Sequence, residues 1–145
     1  MGLFGIFKRK PQSVLEALEA DPTFQDLKKL NDLLVLQCEM RNGVDADEVP
    51  NGSGEFGLSP TNPIPCKTTF GSTAYLGRLR APDDTKVTYT RIGSMNHNLE
   101  PGPTDAYDVF HRDGRKLATI YICPYHKRIS GKAPRGLTLA THSFA

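Results

Sequence analysis

Apolar residues are spaced in two different ways along this chain, every three or four positions before residue 43 and roughly every second position after residue 74. The first spacing is that of a helix with one buried face, and the second is that of a strand with one buried face. Ser13 and Glu16 match a capping box, in which each side chain bonds to a free backbone N–H at a helix start. A short helix is therefore predicted over residues 14–20.

A longer helix is predicted after Asp21-Pro22-Thr23, because proline is well suited to the first position of a helix. Five residues form one apolar stripe along it: Phe24, Leu27, Leu30, Leu34 and Cys38. Three more apolar residues widen the stripe: Leu33, Leu36 and Met40. We therefore expect this helix to be buried on more than one side and to end at Asn42-Gly43.

Residues 43–73 are rich in glycine and proline, so no helix is expected to run through them. A structureless loop of this length is uncommon in a compact domain. We therefore expect part of the loop to be functional, to be mobile, or to contain a short strand.

Two antiparallel hairpins are predicted after this loop. In the first, residues 74–80 and 86–92 flank a turn that has Pro82 at its first corner. In the second, residues 107–111 and 116–123 flank Asp113-Gly114, a strong hairpin signal. The run of β-branched and aromatic residues after that turn predicts a central strand over residues 116–122, with Ile120 and Ile122 facing the core.

Together these elements predict a single α+β domain over residues 11–145, in which two N-terminal helices pack on one face of an antiparallel sheet built from two hairpins. Its parts, in order, are helices within 13–42, a Gly/Pro-rich loop over 43–73, the sheet over 74–123 and a basic tail over 124–145. Residues 1–10 are expected to be a flexible N-terminal segment.

The composition points to a cytoplasmic protein. The chain has 145 residues, a net charge of +2 and three cysteines, and its basic residues 8–10 follow the first apolar residues, the reverse of a secretion signal. The longest uncharged apolar run, Leu33 to Cys38, is too short to span a bilayer. Peripheral membrane contact through residues 3–7 is not expected, and the thiols should be free.

Several short motifs resemble a group of small uncharacterised bacterial proteins. They are Asn62-Pro63-Ile64-Pro65, Tyr75-Leu76, Arg91-Ile92-Gly93-Ser94, Tyr107-Asp108-Val109-Phe110, Asp113-Gly114 and the stretch from Tyr121 to Gly136. The resemblance covers residues 62–136. It implies no activity, and no functional residue is carried over from it.

A Cys-x-x-His pair, Cys123 and His126, is the strongest candidate for metal binding. A thiolate and an imidazole at this spacing can share one metal, but a structural zinc site needs four ligands. Cys66, His97 and His111 could supply the other ligands after folding. Because no second closely spaced ligand pair exists, no cofactor is predicted, and a metal-site protein or small enzyme using Cys66, Cys123 and His126 is kept as an alternative.

The sequence gives no support for catalysis. Gly52 to Gly57 matches the glycine pattern of dinucleotide-binding loops, but Pro50 precedes it and Pro60 soon follows, where a strand and a helix are required. His111-Arg112-Asp113 is followed by Gly114 and is better explained by the second hairpin. No nucleophile elbow or paired-carboxylate signature is present.

The basic tail is the predicted recognition surface. Its candidate partner-binding residues are Tyr125, His126, Lys127, Arg128, Lys132 and Arg135. We predict a non-catalytic module that binds another protein through the 43–73 loop and this tail. Nucleic acid is a further alternative, because cations beside tyrosines are typical of such binders, although no nucleic-acid motif is present. The acidic residues of segment 11–50 could instead pair with the tail inside the protein.

Overall fold

The structure is a computed structural model that describes residues 14–96 and 100–141. The predictions for the segment 1–10, for the capping residue Ser13 and for His97 fall outside these residues. The chain divides into two compact units, one ending at Leu33 and the other beginning at Leu34. That residues 11–145 form one domain stays a prediction.

Both predicted N-terminal helices are present. Helix α1 covers Val14–Glu19, and helix α2 covers Pro22–Glu39. The side chain of Asp21 accepts a hydrogen bond from the backbone N–H of Thr23 at 2.8 Å, which satisfies one free donor at the start of α2. Pro22 occupies the first position of this longer helix, as predicted.

The predicted burial of α2 on more than one side is wrong for its end in the second unit. There Leu36 and the following Met40 are exposed by 54% and 78%, whereas Cys38 is buried. The apolar spacing gives α2 a surface that favours burial, but spacing does not supply neighbours to bury it against.

The remaining elements all lie in the second unit. In chain order they are β1 (Ile64–Pro65), α3 (Thr68–Arg78), β2 (Leu79–Arg80), β3 (Thr88–Met95), β4 (Thr104–Phe110), β5 (Lys116–Cys123) and β6 (Thr138–Leu139). The main sheet has the order β1-β5-β4-β3. β1 runs parallel to β5, and the other neighbours are antiparallel, so the fold is α+β with a mostly antiparallel sheet.

The second hairpin and the central strand are confirmed. β4 and β5 pair across the Asp113-Gly114 turn, where Gly114 has a φ of 94° that favours glycine. β5 lies between β1 and β4, and both Ile120 and Ile122 are fully buried. At the other side of the sheet β3 forms an edge, and most of its residues are exposed.

The first predicted hairpin is wrong. Residues 74–78 belong to α3, and β3 pairs with β4 rather than with residues 74–80. Of that hairpin only the turn after Ala81 and one bridge between Arg80 and Lys86 are formed. Helix α3 also begins at Thr68, inside the loop where no helix was expected, whereas β1 is a short strand of the kind expected there.

Small residues explain why α3 was missed. Its buried positions are Thr68, Gly71, Ser72, Tyr75 and Leu76, which follow helical spacing. A Cβ atom on Gly71 would lie 3.0 Å from the side chain of Ile129, so this glycine permits close packing against the tail. The pattern is helical, but glycine, serine and threonine made it resemble a loop.

The basic tail is folded against the rest of the second unit. Ser130 and Pro134 are buried, and β6 pairs with β2 in a small second sheet. Residues 138–139 of the predicted tail are therefore part of a sheet. Among the helices within residues 14–96 and 100–141, none is long and apolar enough to cross a membrane.

Candidate functional site

A pocket of about 300 Å³ lies on the second unit, and we call it the His126 pocket. Its lining comes from four separate parts of the chain: residues 42–51, residues 61–63, residues 100–104 and the Cys123–His126 turn. Two of these parts belong to the predicted functional loop, and the last begins the predicted recognition tail. The structure therefore brings the two predicted segments together around one cavity.

His126 is the most distinctive residue of this lining. It is only 2% exposed, and its Nδ1 accepts a hydrogen bond from the backbone N–H of Val44 at 2.8 Å. In a neutral ring, the proton must then be on Nε2. No acceptor for that proton is found in the described part of the chain, although buried donors are normally bonded.

Burial keeps His126 uncharged. Removal from water penalises the imidazolium form and lowers the pKa of His126 to about 4. At neutral pH the ring is thus a hydrogen-bond donor at Nε2 and an acceptor already in use at Nδ1. It has no free lone pair with which to act as a general base.

Backbone bonds fix the position of this histidine. The N–H of His126 donates to the carbonyl of Cys66 at 3.0 Å, and the N–H of Lys127 donates to the carbonyl of Val44 at 3.0 Å. Gly43 makes the approach possible, because a Cβ atom there would lie 2.5 Å from the carbonyl oxygen of Tyr125. The loop and the tail therefore meet backbone to backbone beside the pocket.

Cys123 also lines the pocket, but its chemistry is that of a buried thiol. Burial raises the pKa of Cys123 to about 11, and the nearby carboxylate of Asp105 acts in the same direction. Its sulfur lies 3.7 Å from the carbonyl oxygen of Gly102. Since the thiolate is the nucleophilic form, Cys123 is unreactive at neutral pH.

The metal alternative gains no support from the described residues. Within residues 14–96 and 100–141, no group of three or more His, Cys, Asp or Glu side chains is arranged to hold a metal ion. Cys66 is completely buried in the apolar core, where desolvation raises the pKa of its thiol to about 12. Cys66, Cys123 and His126 therefore do not form the predicted ligand set here.

A second histidine is fully occupied by structural bonds. Nε2 of His111 lies 2.7 Å from a carboxylate oxygen of Asp83, and its Nδ1 accepts from the N–H of Asp113 at 3.1 Å. The hydrogen bonds from Thr85 and His111 lower the pKa of Asp83. Because both ring nitrogens are used to join two turns, His111 is not placed for proton transfer to a substrate.

Arg41 and Tyr125 support the wall formed by residues 100–104. The guanidinium of Arg41 donates to the carbonyl of Pro101 at 2.6 Å and stacks over the Tyr125 ring at 4.4 Å. Gly102 fits against both, since a Cβ atom there would lie 2.7 Å from the Arg41 guanidinium. Tyr125, a predicted partner-binding residue, is here part of the pocket's support.

Three of the predicted partner-binding cations form ion pairs within the second unit. Arg128 lies 3.5 Å from both Asp45 and Asp47. In the same way, Lys132 lies 2.9 Å from Glu48 and Arg135 lies 3.1 Å from Glu55. These acids belong to the loop rather than to the predicted helices. Lys127 is exposed, and no carboxylate among the described residues lies within ion-pair distance of it.

Hydrogen bonds also join the same two segments. The Ser130 hydroxyl, which is fully buried, donates to the carbonyl of Asp47 at 2.7 Å. The exposed N–H of Gly131 donates to the Asp47 carboxylate at 2.8 Å. Because exposed ion pairs contribute little while a buried hydroxyl must keep its hydrogen bond, the Ser130 bond holds the loop on the tail more firmly than the ion pairs do.

Sequence reasoning found part of this pocket and missed part of it. Cys123 and His126 were identified from their spacing, and the loop from its composition. Asn42, Thr61 and Thr104 were missed, because a polar residue in a loop carries no signal of the cavity that it faces. Glycine residues beside polar loops, such as Gly43, were the available clue to close backbone approach.

No protein-family model matches this chain, and neither a similar curated protein nor a similar solved structure was found.

Proposed function

We propose that this protein is a non-catalytic binding module that holds a short segment of another protein in the His126 pocket. The observation that carries the proposal is the pocket itself, a cavity of about 300 Å³ in which residues of the 43–73 loop lie beside His126 at the start of the basic tail. Its lining combines apolar side chains, such as Val44 and Pro63, with a few polar ones, such as Thr61 and Thr104, as is typical of ligand-binding clefts.

The chemistry of the lining favours binding over catalysis. Nδ1 of His126 accepts a hydrogen bond from Val44, and Nε2 carries the proton of the neutral ring. The pKa of Cys123 is raised to about 11. Neither side chain is therefore a base or a nucleophile at neutral pH.

The basic tail has two roles in this proposal. Its paired cations Arg128, Lys132 and Arg135 hold the loop that forms one wall of the pocket. Their side chains remain 48%, 47% and 84% exposed, so an acidic partner surface can still meet them beside the exposed Lys127. A nucleic-acid partner is less favoured, because the ion pairs already neutralise much of the tail's charge.

Selection from a library of displayed random peptides tests the proposal. We expect selected peptides to bind the wild-type protein and to lose at least tenfold in affinity for Asn51→Trp, whose indole would obstruct the pocket from an exposed position. Thr90→Trp, at an exposed position of β3 away from the lining, is the matched control and should bind normally. Equal binding by the two variants, or the absence of any selected peptide, would refute the proposal.

A metal measurement tests the alternative. Stoichiometric zinc in the purified protein that disappears in Cys123→Ser would favour the metal-site hypothesis over the binding module. We expect no such dependence.

A further inference from the structure

The lining of the His126 pocket changes from buried to exposed residues between its floor and its rim. The floor consists of Thr104, Cys123 and His126, which are exposed by only 4%, 2% and 2%. Apolar walls come from residues such as Val44 and Pro63. The rim consists of the exposed lining residues, which a ligand meets first as it enters from water.

The floor carries no charge at neutral pH. Burial lowers the pKa of His126 to about 4 and raises that of Cys123 to about 11, and the Thr104 hydroxyl does not ionise. The Nε2 atom of His126 is shielded from the pocket by its burial, so a ligand does not reach it. A charged group at the floor would lose its hydration without gaining a partner of opposite charge. The part of a ligand that reaches the floor is therefore uncharged.

The rim carries an unpaired carboxylate, that of Glu100. This side chain is exposed, and no lysine, arginine or histidine among residues 14–96 and 100–141 lies within ion-pair distance of it. Residues 97–99, His-Asn-Leu in sequence, include no lysine or arginine. The acids of the adjoining loop differ from Glu100, because the cations of the tail already pair with them: Asp45, Asp47 and Glu48.

Arg41 lies behind the wall formed by residues 100–104. Its guanidinium donates to the carbonyl of Pro101 at 2.6 Å and stacks on the ring of Tyr125, and it does not belong to the lining. Arg41 therefore weakens the negative potential of Glu100 but does not occupy its carboxylate oxygens. Those oxygens remain free to meet a cation on a ligand.

We infer that the protein segment held in the His126 pocket carries a lysine or arginine next to the apolar side chain that enters the pocket. The apolar side chain lies against Val44, Val49 and Pro63, while the cation stays in water at the rim and pairs with Glu100. An exposed ion pair of this kind gives a preference of about two- to fivefold over an uncharged residue. The inference rests on the proposed function, because it specifies the chemistry of the bound segment.

The peptides selected from a displayed random library give the first test. Among peptides that lose affinity for Asn51→Trp, we expect lysine and arginine to be enriched, relative to the unselected library, next to an apolar residue. Peptides that bind the pocket without this enrichment would overturn the inference and leave the proposed function in place. If no peptide is selected, the proposed function fails and the inference fails with it.

Removal of the Glu100 charge is the second test. The probes are the tightest selected peptide and the same peptide with its lysine or arginine replaced by glutamine. By calorimetry at low salt, the first should bind the wild type about two- to fivefold more tightly, and the two should bind Glu100→Gln equally. A preference that persists in Glu100→Gln would overturn the inference.

Asp84→Asn is the matched control for this variant. It removes an exposed carboxylate outside the lining, at a φ of 68° that asparagine tolerates. We expect the control to keep the preference of the wild type. Loss of the preference in both variants would show that it depends on the overall charge of the protein and would overturn the role of Glu100.

Salt dependence in the wild type covers the case in which Glu100→Gln does not fold. The preference for the cationic peptide should disappear at about 1 M salt, because exposed charges are then screened. The peptide with glutamine should keep its affinity, since burial of its apolar side chain does not depend on charge. A preference that is unchanged by salt would overturn the inference.

Discussion

The backbone N–H of Val44 donates to Nδ1 of His126 across 82 positions of sequence, at a distance of 2.8 Å. This one bond places the ring proton on Nε2 and fixes the first residues of the loop against the turn that ends β5. The tautomer of His126 and the position of one pocket wall thus depend on the same contact. Variants that separate Val44 from His126 should affect both.

Gly43→Ala is expected to destabilise the protein and open this contact. The added Cβ would lie 2.5 Å from the carbonyl oxygen of Tyr125 and 2.6 Å from the Cα atom of His126, and backbone cannot move aside cheaply. We expect a loss of about 1–3 kcal/mol in the free energy of unfolding, measured by urea denaturation. Gly93→Ala is the matched control, because its Cβ would meet nothing within 4 Å; a similar loss there would contradict the steric explanation.

The stability of the protein is expected to fall as the pH is lowered from about 6.5 toward 4. The pKa of His126 is lowered from 6.5 to about 4 in the folded protein, so in this range the unfolded chain binds a proton that the folded protein does not. The contribution of the neutral His126 ring to the free energy of unfolding is on the order of 3 kcal/mol. It is fully present above pH 6.5, and most of it is lost when the pH reaches about 4.

Urea denaturation at several pH values checks this expectation, with His126→Asn as the control. The control lacks the titrating ring, so its stability should change less over the same range. Asp83 and Asp108 also have lowered pKa values, but their ordinary value is 3.8, so their effect is confined to more acidic solutions. Parallel pH profiles for the wild type and the control would contradict the assignment to His126.

Ile120→Ala is expected to cost about 2–5 kcal/mol in the free energy of unfolding. Ile120 is fully buried in the central strand, and the change removes apolar contacts and leaves a cavity. Thr90→Ala, at an exposed position of the edge strand β3, should change the stability by less than about 0.5 kcal/mol. A cost for Ile120→Ala as small as that of the control would mean that the sheet is packed differently.

The double variant Arg128→Glu/Lys132→Glu is expected to lose stability, because it replaces attraction to Asp45, Asp47 and Glu48 by repulsion. All of these groups are largely exposed, so the loss should be on the order of 1 kcal/mol at low salt and smaller at 1 M salt. Arg128→Gln/Lys132→Gln, which adds no repulsion, should lie between it and the wild type. Full stability combined with weaker partner binding would instead show that the cations serve only an external partner.

The three cysteines are expected to react slowly with iodoacetamide in the folded protein. Cys38, Cys66 and Cys123 are all buried free thiols, and burial raises the pKa values of the last two. All three should react quickly in urea, as followed by mass spectrometry. Rapid alkylation of Cys123 without denaturant would show an activated thiol and reopen the question of catalysis.

Prediction from the sequence succeeded for elements that depend on only one or two neighbouring residues. Pro22 starts a helix and Asp113-Gly114 closes a hairpin because each depends on the backbone preferences of one or two residues. Prediction from the sequence failed over residues 68–80, where a helix with small buried residues resembled a loop followed by a strand. Gly71 allows α3 to pack closely against Ile129. The spacing of apolar residues along the chain does not show such long-range contacts.

The pocket, too, was predicted only in part. Cys123 and His126 were recognised as a chemical pair and a metal was kept as one alternative, because spacing shows which groups can meet and not whether they are desolvated. The burial of His126 and its bond to Val44 were not predicted, since both depend on residues far away in the chain. The partner-binding role of the tail stays a prediction.

The distance along the chain between the walls of the pocket has a consequence for protein synthesis. Asp47 is joined to Ser130 and Gly131, so its wall acquires this support only after residues 130–131 have been made. A ribosome makes the chain from its N-terminus at about 5–20 residues per second, so several seconds separate the synthesis of the loop from that of the tail. The pocket wall is therefore incomplete while the intervening residues are being made.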